Sequence, residues 1–312
     1  MNTLTIFSGN SNPDLARKVC DSLNIPLGKC EVGKFSDGEI KVHITENIRG
    51  KDVFVVQPTC VPANDNLMEL LIIMDAAMRA SAKRITAVLP YFGYARQDRK
   101  DKPRVPITAK LVANLLERAG ADRILTIDLH AAQVQGFFDI PFDHLFAVSL
   151  FSEYFKDKVD EDWVVVAPDV GGTKMARAYA KRFNSGLAIV DKRRVSDEKA
   201  EAMHIMGEVK GKNVIIVDDI IATAGSLVEA AAALKKNGVK DIYVAATHAV
   251  LCGPAIERIE KSDIKEVVVT DTIPLGQEKR IRRIKQLSVA HILGEAIKRI
   301  HNEETISELF AL

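Results

Sequence analysis

The sequence of 312 residues has few cysteines and almost no excess of charge of either sign. Its 4 cysteines lie far apart and form no Cys-x-x-Cys pair, which argues against a zinc site or a disulfide framework and fits a reducing compartment. The formal net charge of +1 gives no global field that favours nucleic acid or an anionic membrane. No apolar run approaches the roughly 20 residues of a membrane helix, and the chain turns polar too early for a signal peptide. These absences predict a soluble cytoplasmic protein without a nucleic-acid or membrane partner.

The sequence contains an internal repeat with an offset of about 160 residues. The matching pairs are LTIFSGN (4–10) with VVVAPDV (164–170), LARKVCDSLN (15–24) with MARAYAKRFN (175–184), KFSDGE (34–39) with RVSDEK (194–199) and, after one residue of slippage, HITENIRGKDVFVV (43–56) with HIMGEVKGKNVIIV (204–217). Generic α/β patterning is the alternative explanation, but several matches at one nearly constant offset favour two copies of one domain. We predict an N-terminal domain over 1–147 and a C-terminal domain over 148–292, with the segment 293–312 packed on the first.

Each copy alternates short β-rich runs with helical segments. The predicted strands are 3–7, 53–57, 85–90 and 124–128, then 163–167, 187–190, 214–217, 242–247 and 266–270. The predicted helices are 13–23, 66–80 and 107–119, then 173–183, 227–236 and 253–261. This alternation implies an α/β fold in which each domain has a mostly parallel sheet flanked by helices. Ligands of such sheets bind beyond the carboxyl ends of the strands, so the segments that follow strands are the candidate sites.

The stretch VIIVDDIIATAGSLVE (214–229) places two adjacent carboxylates after a predicted buried strand. Asp218 is expected where that strand leaves the sheet, with Asp219 beside it. The small residues that follow are predicted to form a turn: Ala222, Thr223, Ala224, Gly225 and Ser226. The S-x-x-E spacing of Ser226 and Glu229 is that of a capping box, which predicts a helix beginning at Leu227.

This pattern suits a sugar phosphate. Small side chains let backbone N–H groups approach a phosphate closely, and the positive end of the helix dipole adds to the attraction. The two carboxylates would repel phosphate but suit sugar hydroxyls, or a cation that bridges to them. A capped helix beside two solvated acids is the other interpretation, and the pattern alone leaves both open.

The turn is not a Walker loop, and no G-x-G-x-x-G occurs in the chain. The equivalent segment of the first copy, VFVVQPTCVPANDNLME (53–69), has lost both acids and the small-residue turn. We therefore predict that the second copy holds this site and that the first copy has another task.

A basic cluster follows the predicted strand 187–190. Lys192, Arg193 and Arg194 could close over a phosphate chain from a mobile loop and neutralise charge that develops during transfer. A basic surface turn is the alternative interpretation.

The stretch PYFGYARQDRKDKPRVP (90–106) mixes aromatic residues with arginines and lysines. Arg96 offers a fork for phosphate oxygens, and Gln97 could read a base edge. A solvated charged loop ended by prolines is the alternative, although the length and the aromatic lead-in favour a functional loop.

Two more segments end a predicted strand with an acid or an imidazole, TIDLHAAQVQGFF (126–138) and APDVGG (167–172). Asp169 could hold Mg²⁺ through one carboxylate, the sparse arrangement common beside phosphates. His130 could instead donate a hydrogen bond to a phosphate, because magnesium prefers oxygen ligands. A core histidine with a satisfied ring is the alternative for His130.

The stretch GKFSDGEI (33–40) contains the Asp-Gly pair of a tight hairpin. Phe35, Asp37 and Glu39 alternate, so they share a strand face if Gly38 does not form a bulge. An aromatic ring beside two acceptors could stack on adenine and accept from its amino group. An ordinary hairpin is the alternative.

Together these segments resemble the ribose-phosphate pyrophosphokinase family, in its phosphate-regulated class. The resemblance is carried, in the family's order, by FSDGEI, PYFGYARQDRK, TIDLHAAQVQGFF, PDVGG, DKRR, VDDIIATAGS and QLSVAHILGEAIKRIHNEETIS. It implies two duplicated domains of phosphoribosyltransferase type in a homo-oligomer, often a hexamer. The implied reaction is transfer of the β,γ-diphosphoryl group of MgATP to the anomeric hydroxyl of ribose 5-phosphate. The products would be AMP and phosphoribosyl diphosphate.

The resemblance also implies a role for each matching residue. Lys192 and Arg194 would stabilise the transferring group, and His130 and Asp169 would belong to the Mg–ATP site. The residues that would bind ATP are Phe35, Asp37, Gly38 and Glu39, from a neighbouring subunit, together with Arg96 and Gln97. Those that would bind ribose 5-phosphate are Asp218, Asp219, Ala222, Thr223, Ala224, Gly225 and Ser226, with Arg194. Phosphate as activator and ADP as inhibitor would bind at a subunit interface near Arg49, Ser81 and Ser307.

The chain departs from the family's pattern at Ala222, where the family usually has Asp. This leaves open whether a further acid helps to position ribose or metal in this protein. It also gives support to a different function, that of a non-catalytic regulatory subunit of the same family. A phosphoribosyltransferase that consumes phosphoribosyl diphosphate is the other alternative, because the acid pair and the small-residue turn suit both.

Overall fold

The computed structural model describes residues 3–193 and 202–310. The strands in this part of the chain are β1 (Leu4–Ser8), β2 (Cys30–Lys34), β3 (Ile40–Ile44), β4 (Asp52–Val56), β5 (Arg84–Leu89), β6 (Arg123–Ile127), β7 (Phe142–Leu145), β8 (Trp163–Ala167), β9 (Gly186–Arg193), β10 (Ala202–Met206), β11 (Asn213–Ile221), β12 (Ile242–Ala249), β13 (Ile264–Thr270) and β14 (Ile284–Leu287). The α-helices are α1 (Pro13–Leu23), α2 (Ala63–Arg79), α3 (Thr108–Arg118), α4 (Val148–Phe155), α5 (Thr173–Phe183), α6 (Gly225–Lys236), α7 (Ala255–Lys261) and α8 (Ala290–His301). In these ranges no helix is both long and apolar enough to cross a membrane.

The chain divides into two compact units. The first comprises Met1–Phe146, Thr272–Pro274 and Ser288–Ala311, and the second consists mainly of Ala147–Asp271 and Leu275–Leu287. The C-terminal helix α8 therefore belongs to the first unit, where it packs on α1. The bounds that the sequence suggests for the two domains, 1–147 and 148–292, stay a prediction.

The first unit contains a parallel sheet with the strand order β1-β4-β5-β6-β7. Every residue of β4 is buried, as expected for a strand covered on both faces. Helix α1 begins at Pro13 because the side chain of Asn12 caps it by accepting from the N–H of Leu15. The strands β2 and β3 form a separate antiparallel hairpin.

The second unit contains a sheet with the order β10-β9-β8-β11-β12-β13-β14. All neighbours are parallel except β10, which runs antiparallel to β9. Its core combines the buried faces of β11 and β12, including Val214, Ile216 and Val244, with Leu227 and Leu234 of α6. Burial of these apolar side chains holds α6 against β11 and β12.

The two units repeat one topology. The strands β1, β4, β5, β6 and β7 occupy the same order as β8, β11, β12, β13 and β14. Parallel sheets flanked by helices confirm the predicted fold class. The units differ in the hairpin after the first helix, because β9 joins the main sheet whereas β2 and β3 stand apart.

Helix α8 is fixed to the first unit through a buried carboxylate. Asp52 is 2 % exposed, and its Oδ1 accepts from Nε of Arg84 at 2.9 Å. Nδ1 of His301 lies 2.9 Å from Oδ2 of the same carboxylate. Arg84 also donates to the carbonyl of Ile300 at 2.9 Å, and its bond to Asp52 raises the pKa of the guanidinium. One buried acid thus joins β4, β5 and α8.

We expect Arg84→Met to lower the free energy of unfolding by about 2–3 kcal/mol, because it leaves Asp52 buried beside only one partner. Arg79→Met is the matched control, since Arg79 makes a 2.7 Å pair with Asp75 on the surface of α2. That change should cost much less, because solvent screens an exposed ion pair. Urea titrations of both variants measure the difference, and equal costs would show that the Asp52 cluster does not stabilise the fold.

Candidate active site

The carboxylate pair lies where one strand extends past its neighbour. The strand β11 pairs with β8 only over its first residues, up to Ile216, but pairs with β12 as far as Ile221. Asp218 and Asp219 therefore lie within the strand, in the part that β8 leaves uncovered. The expectation that the strand ends at Val217 is wrong, because β12 continues to supply hydrogen-bond partners.

Asp218 is half-buried in a crowded negative environment. Burial raises its pKa well above the usual value of a carboxyl, and the charges of Asp219 and Asp169 raise it further. The backbone N–H of Asp219 donates to Oδ1 of Asp218 at 2.9 Å and opposes part of this shift. The negative charge gathered here favours a cation or the hydroxyl donors of a sugar.

The small-residue segment is shorter than predicted, and its helix starts earlier. Helix α6 begins at Gly225, and Ala224 is the residue before it, with no side-chain cap. Ser226 is the second helical residue, so the predicted capping box and the start at Leu227 are wrong. The first-turn N–H groups of α6 accordingly lack the side-chain acceptor that a capping box would supply. The arrangement leaves backbone donors at the positive end of the helix dipole, as an anion site requires.

Asp169 follows the end of β8 and is exposed. Its Oδ1 accepts from the N–H of Gly172 at 2.9 Å, which fixes the turn before α5. Among the residues that the structure describes, no group of three or more His, Cys, Asp or Glu side chains is placed to hold a metal ion. Magnesium beside phosphates needs only one or two carboxylates, and the crowded acids around Asp218 fit a divalent cation.

The predicted basic cluster is only partly described. The backbone of Lys192 lies in β9, where it pairs with Met203 of β10. Arg194 lies outside the described residues.

The first unit places Arg96 and Gln97 on an exposed turn after β5. Gln97 is tied to the start of α3, since its carbonyl accepts from the N–H of Ala109 at 3.1 Å and its Oε1 accepts from Oγ1 of Thr108 at 2.6 Å. This loop passes close to the backbone of Thr59 and requires a glycine there, because a Cβ on Gly93 would lie 2.4 Å from the carbonyl oxygen of Thr59. Arg96 is therefore presented by an anchored turn.

His130 is exposed, which rules out the alternative of a core histidine. The buried histidine of this region is His144, whose Nε2 accepts from the N–H of Leu129 at 2.8 Å. No pattern in the sequence indicates that His144 holds the backbone of Leu129, next to His130. The segment after His130 also contacts the loop after β5, because Gln133 donates to Asp98. The loops after β5 and β6 are thus brought together.

The turn between β2 and β3 contains Phe35, Asp37, Gly38 and Glu39. The expectation that Phe35, Asp37 and Glu39 share a strand face is therefore wrong. The N–H of Phe35 donates to the carbonyl of Glu39 at 2.8 Å, and Oδ1 of Asp37 accepts from the N–H of Glu39 at 3.2 Å. Gly38 has φ of 93°, a conformation that favours glycine. Phe35 is 52 % exposed, which leaves its ring accessible for stacking.

The first unit has no open counterpart of the acid pair in its described residues. The repeat aligns Gly9 with Asp169 and Gln57 with Asp218. Gln57 is fully buried, and its side chain occupies the space beside Gly9. A Cβ on Gly9 would lie 2.3 Å from Oε1 of Gln57. Ser11 donates to that oxygen at 2.6 Å, and Gln57 donates to buried Glu69 at 2.9 Å. An amide that is hydrogen-bonded within the protein has replaced the acid.

We expect Asp218→Asn to stabilise the ligand-free protein at neutral pH. The folded-state pKa of Asp218 is raised, so this group's contribution to stability falls as pH rises above its unfolded value of about 4. Asn removes the repulsion and keeps an acceptor for the N–H of Asp219. Melting temperatures of parent and variant should coincide near pH 4 and separate as pH rises, with the variant higher. A parent that melts higher at pH 7 would contradict this.

Two family models match the chain. One describes the N-terminal domain of ribose phosphate pyrophosphokinase and matches residues 4–120. The other describes a phosphoribosyl synthetase-associated domain and matches residues 194–311. Together they match more than half of the chain, and each falls in a different half of the repeat.

Full-length relatives have the same family name. The chain is 57 % identical to a ribose-phosphate pyrophosphokinase of Caldanaerobacter subterraneus subsp. tengcongensis over 310 residues, which is 99 % of this chain and 98 % of the relative. It is 55 % identical to that of Bacillus subtilis over 308 residues, which is 99 % and 97 % of the two chains. The crystal structure of phosphoribosylpyrophosphate synthetase from Mycobacterium smegmatis is 42 % identical, with a TM-score of 0.92 over 97 % of this chain and 100 % of that chain. The open acid pair, the donor-rich helix start and these full-length matches agree: the chain belongs to the ribose-phosphate pyrophosphokinase family.

Proposed function

We propose that this enzyme transfers the β,γ-diphosphoryl group of ATP to the anomeric hydroxyl of ribose 5-phosphate, giving phosphoribosyl diphosphate and AMP for nucleotide biosynthesis. The observation that carries the proposal is the junction of β11 and α6. There two carboxylates lie a few residues before a helix start whose backbone donors have no side-chain cap. Few ligands need both features together, and a phosphorylated sugar is one that does.

Within this site the sugar and its phosphate have separate partners. Asp218 and Asp219 accept from the ribose hydroxyls. The 5-phosphate binds to the backbone donors and hydroxyl groups of the segment 222–226, where Thr223 and Ser226 are both exposed. Ala222 contributes backbone only. This assignment rests on the chemistry of the groups, since carboxylates accept and N–H groups donate.

The nucleotide is assigned to the first unit. Arg96 and Gln97 contact ATP from the anchored turn after β5. The hairpin residues Phe35, Asp37, Gly38 and Glu39 contact adenine, from a neighbouring subunit of a homo-oligomer such as a hexamer. The exposed ring of Phe35 supports a role in stacking.

We assign Mg²⁺ to Asp169 and His130. The exposed carboxylate of Asp169 beside the crowded acids suits the metal. His130 is assigned through the family resemblance. When bound, Mg²⁺ supplies neutralisation of the charge on the phosphates of ATP.

The transfer step needs no covalent enzyme intermediate. The oxygen of the anomeric hydroxyl attacks the β-phosphorus in line and loses its proton to solvent. The bond from that phosphorus to the oxygen that bridges the α- and β-phosphates breaks, and AMP leaves with that oxygen. The side chains of Lys192 and Arg194 would neutralise the charge that develops on the transferring group. The remaining residues hold the two substrates in the geometry for attack.

Location and regulation complete the proposal. We expect the enzyme to act in the cytoplasm, with inorganic phosphate as activator and ADP as inhibitor. Arg49 and Ser81 are brought close to each other, because the N–H of Gly50 donates to the carbonyl of Ser81 at 2.8 Å. Ser307 also belongs to the first unit. The bond between Gly50 and Ser81 supports an allosteric site that includes Arg49 and Ser81, and Ser307 is assigned to it through the family resemblance.

Phosphorus NMR of the protein with MgATP and ribose 5-phosphate tests the function directly. We expect phosphoribosyl diphosphate and AMP to form in equal amounts, with no other diphosphoryl source present. Absence of product across a range of phosphate concentrations would favour the non-catalytic regulatory subunit, which the lack of an acid at Ala222 supports. Consumption of phosphoribosyl diphosphate in the presence of a free base, without its formation from ATP, would indicate a phosphoribosyltransferase.

We expect Lys192→Ala to lower kcat by about 100-fold or more, because it removes a cation that stabilises the transferring group. Binding of ribose 5-phosphate, measured by calorimetry, should be unchanged. Lys181→Ala is the matched control, since Lys181 is an exposed lysine in the last turn of α5. Unchanged turnover in the Lys192 variant would remove this residue from the mechanism.

A further inference from the structure

The segment that carries the phosphate donors is held from one side by residues 251–258. The N–H of Leu251 donates to the carbonyl of Ile221 at 2.9 Å, and the N–H of Cys252 donates to the carbonyl of Ala222 at 2.9 Å. Both bonds join backbone to backbone, so they depend on the path of the chain after β12 and not on a particular side chain.

The next carbonyl along the segment is held by a side chain. Nη1 of Arg258, on α7, donates to the carbonyl oxygen of Thr223 at 2.9 Å. The carbonyls of three consecutive residues, 221–223, therefore all accept from the segment 251–258.

This pattern sets the direction of the N–H groups. In a planar trans peptide the C=O and the N–H of the following residue point in opposite directions. A Thr223 carbonyl that faces Arg258 turns the N–H of Ala224 away from α7. In the described part of the chain, this N–H makes no bond outside the helix and strand ladders. It is therefore free to join the first-turn donors of α6 around an anion.

The peptide at this point needs an external constraint. Ala224 has φ of 57°, a left-handed conformation that alanine adopts less readily than glycine. The guanidinium comes close because the next residue is Gly225, where a Cβ would lie 3.3 Å from Nη1 of Arg258. A side chain that holds the Thr223 carbonyl limits rotation of the Thr223–Ala224 peptide.

We propose that Arg258 is a positioning residue for substrate binding: its bond to the Thr223 carbonyl aims the N–H of Ala224 at the 5-phosphate of ribose 5-phosphate. This inference rests on the proposed function. Arg258 acts through the backbone and touches no reacting atom.

The test is a steady-state comparison of Arg258→Ala with the parent enzyme, varying each substrate in turn. Loss of one hydrogen bond that orients a donor should raise KM for ribose 5-phosphate about three- to tenfold. KM for ATP and kcat should stay close to those of the parent. Calorimetric titration with ribose 5-phosphate alone should show the same fold-change in Kd, and Arg258→Lys should recover part of it through its single donated bond.

Lys261→Ala is the matched control. Lys261 lies one turn further along α7, pairs with Glu257 at 2.6 Å and is exposed. It should leave every kinetic constant unchanged. Melting temperatures of the variants report any general loss of stability.

An unchanged KM for ribose 5-phosphate in Arg258→Ala overturns the inference. The inference is also overturned if kcat falls by the same factor whichever substrate is varied and the melting temperature is lower. That result indicates a merely structural role. Failure of the proposed function gives a different result, since the parent enzyme itself would then form no phosphoribosyl diphosphate.

Discussion

The site depends on a difference in length between two neighbouring strands. The strand β11 loses its partner β8 after Ile216 but keeps β12 to Ile221. This one-sided support holds two adjacent acids rigidly while it leaves one flank open to a ligand. It also keeps the acids partly buried, and burial together with the charges of Asp219 and Asp169 raises the pKa of Asp218. In the proposed function, hydroxyl donors or a cation bound at these acids would also relieve the repulsion between their charges.

The two units show how one topology was put to two uses. Both have a strand, a helix, a hairpin and then a parallel strand beside the first. In the second unit the positions Asp169 and Asp218 carry open acids, whereas in the first unit Gly9 and Gln57 close the same space. Because Gln57 is satisfied by Ser11 and Glu69, this filling gives no buried polar group without a partner. The first unit can then present the loops after β5 and β6.

The sequence predicted most of the architecture because its strands are covered on both faces. The continuous apolar run 163–167 predicts a strand with the observed bounds of β8. The predicted bounds of α1, between Asn12 and Asn24, also match those observed. Short edge strands were missed: β14 has four residues and none is buried, so its sequence shows no clear pattern. Helix α4 was also missed. Its eight residues lie at the junction of the two repeats, where no aligned copy marks them.

The same reasons explain which local features around the candidate site could be predicted from the sequence. The acids and the small-residue segment are adjacent in sequence, so local spacing found them. The capping-box prediction failed because Ser226 is inside the helix and Ala224 precedes it. Arg258 reaches Thr223 from 35 residues away, and His144 holds Leu129 from 15 residues away. Single-sequence patterns carry no information about such contacts, which arise only when the sheet assembles.

The first unit is built from both ends of the polypeptide, and this affects how it is made. The contacts around its buried Asp52 are complete only when Ile300 and His301 of α8 are present. The ribosome synthesises these residues after almost the whole second unit. During translation the strands of the first unit can therefore pair before α8 covers one side of the unit. A nascent chain arrested before residue 290 would expose the surface of α1 on which α8 packs, together with an acid that has Arg84 as its remaining partner.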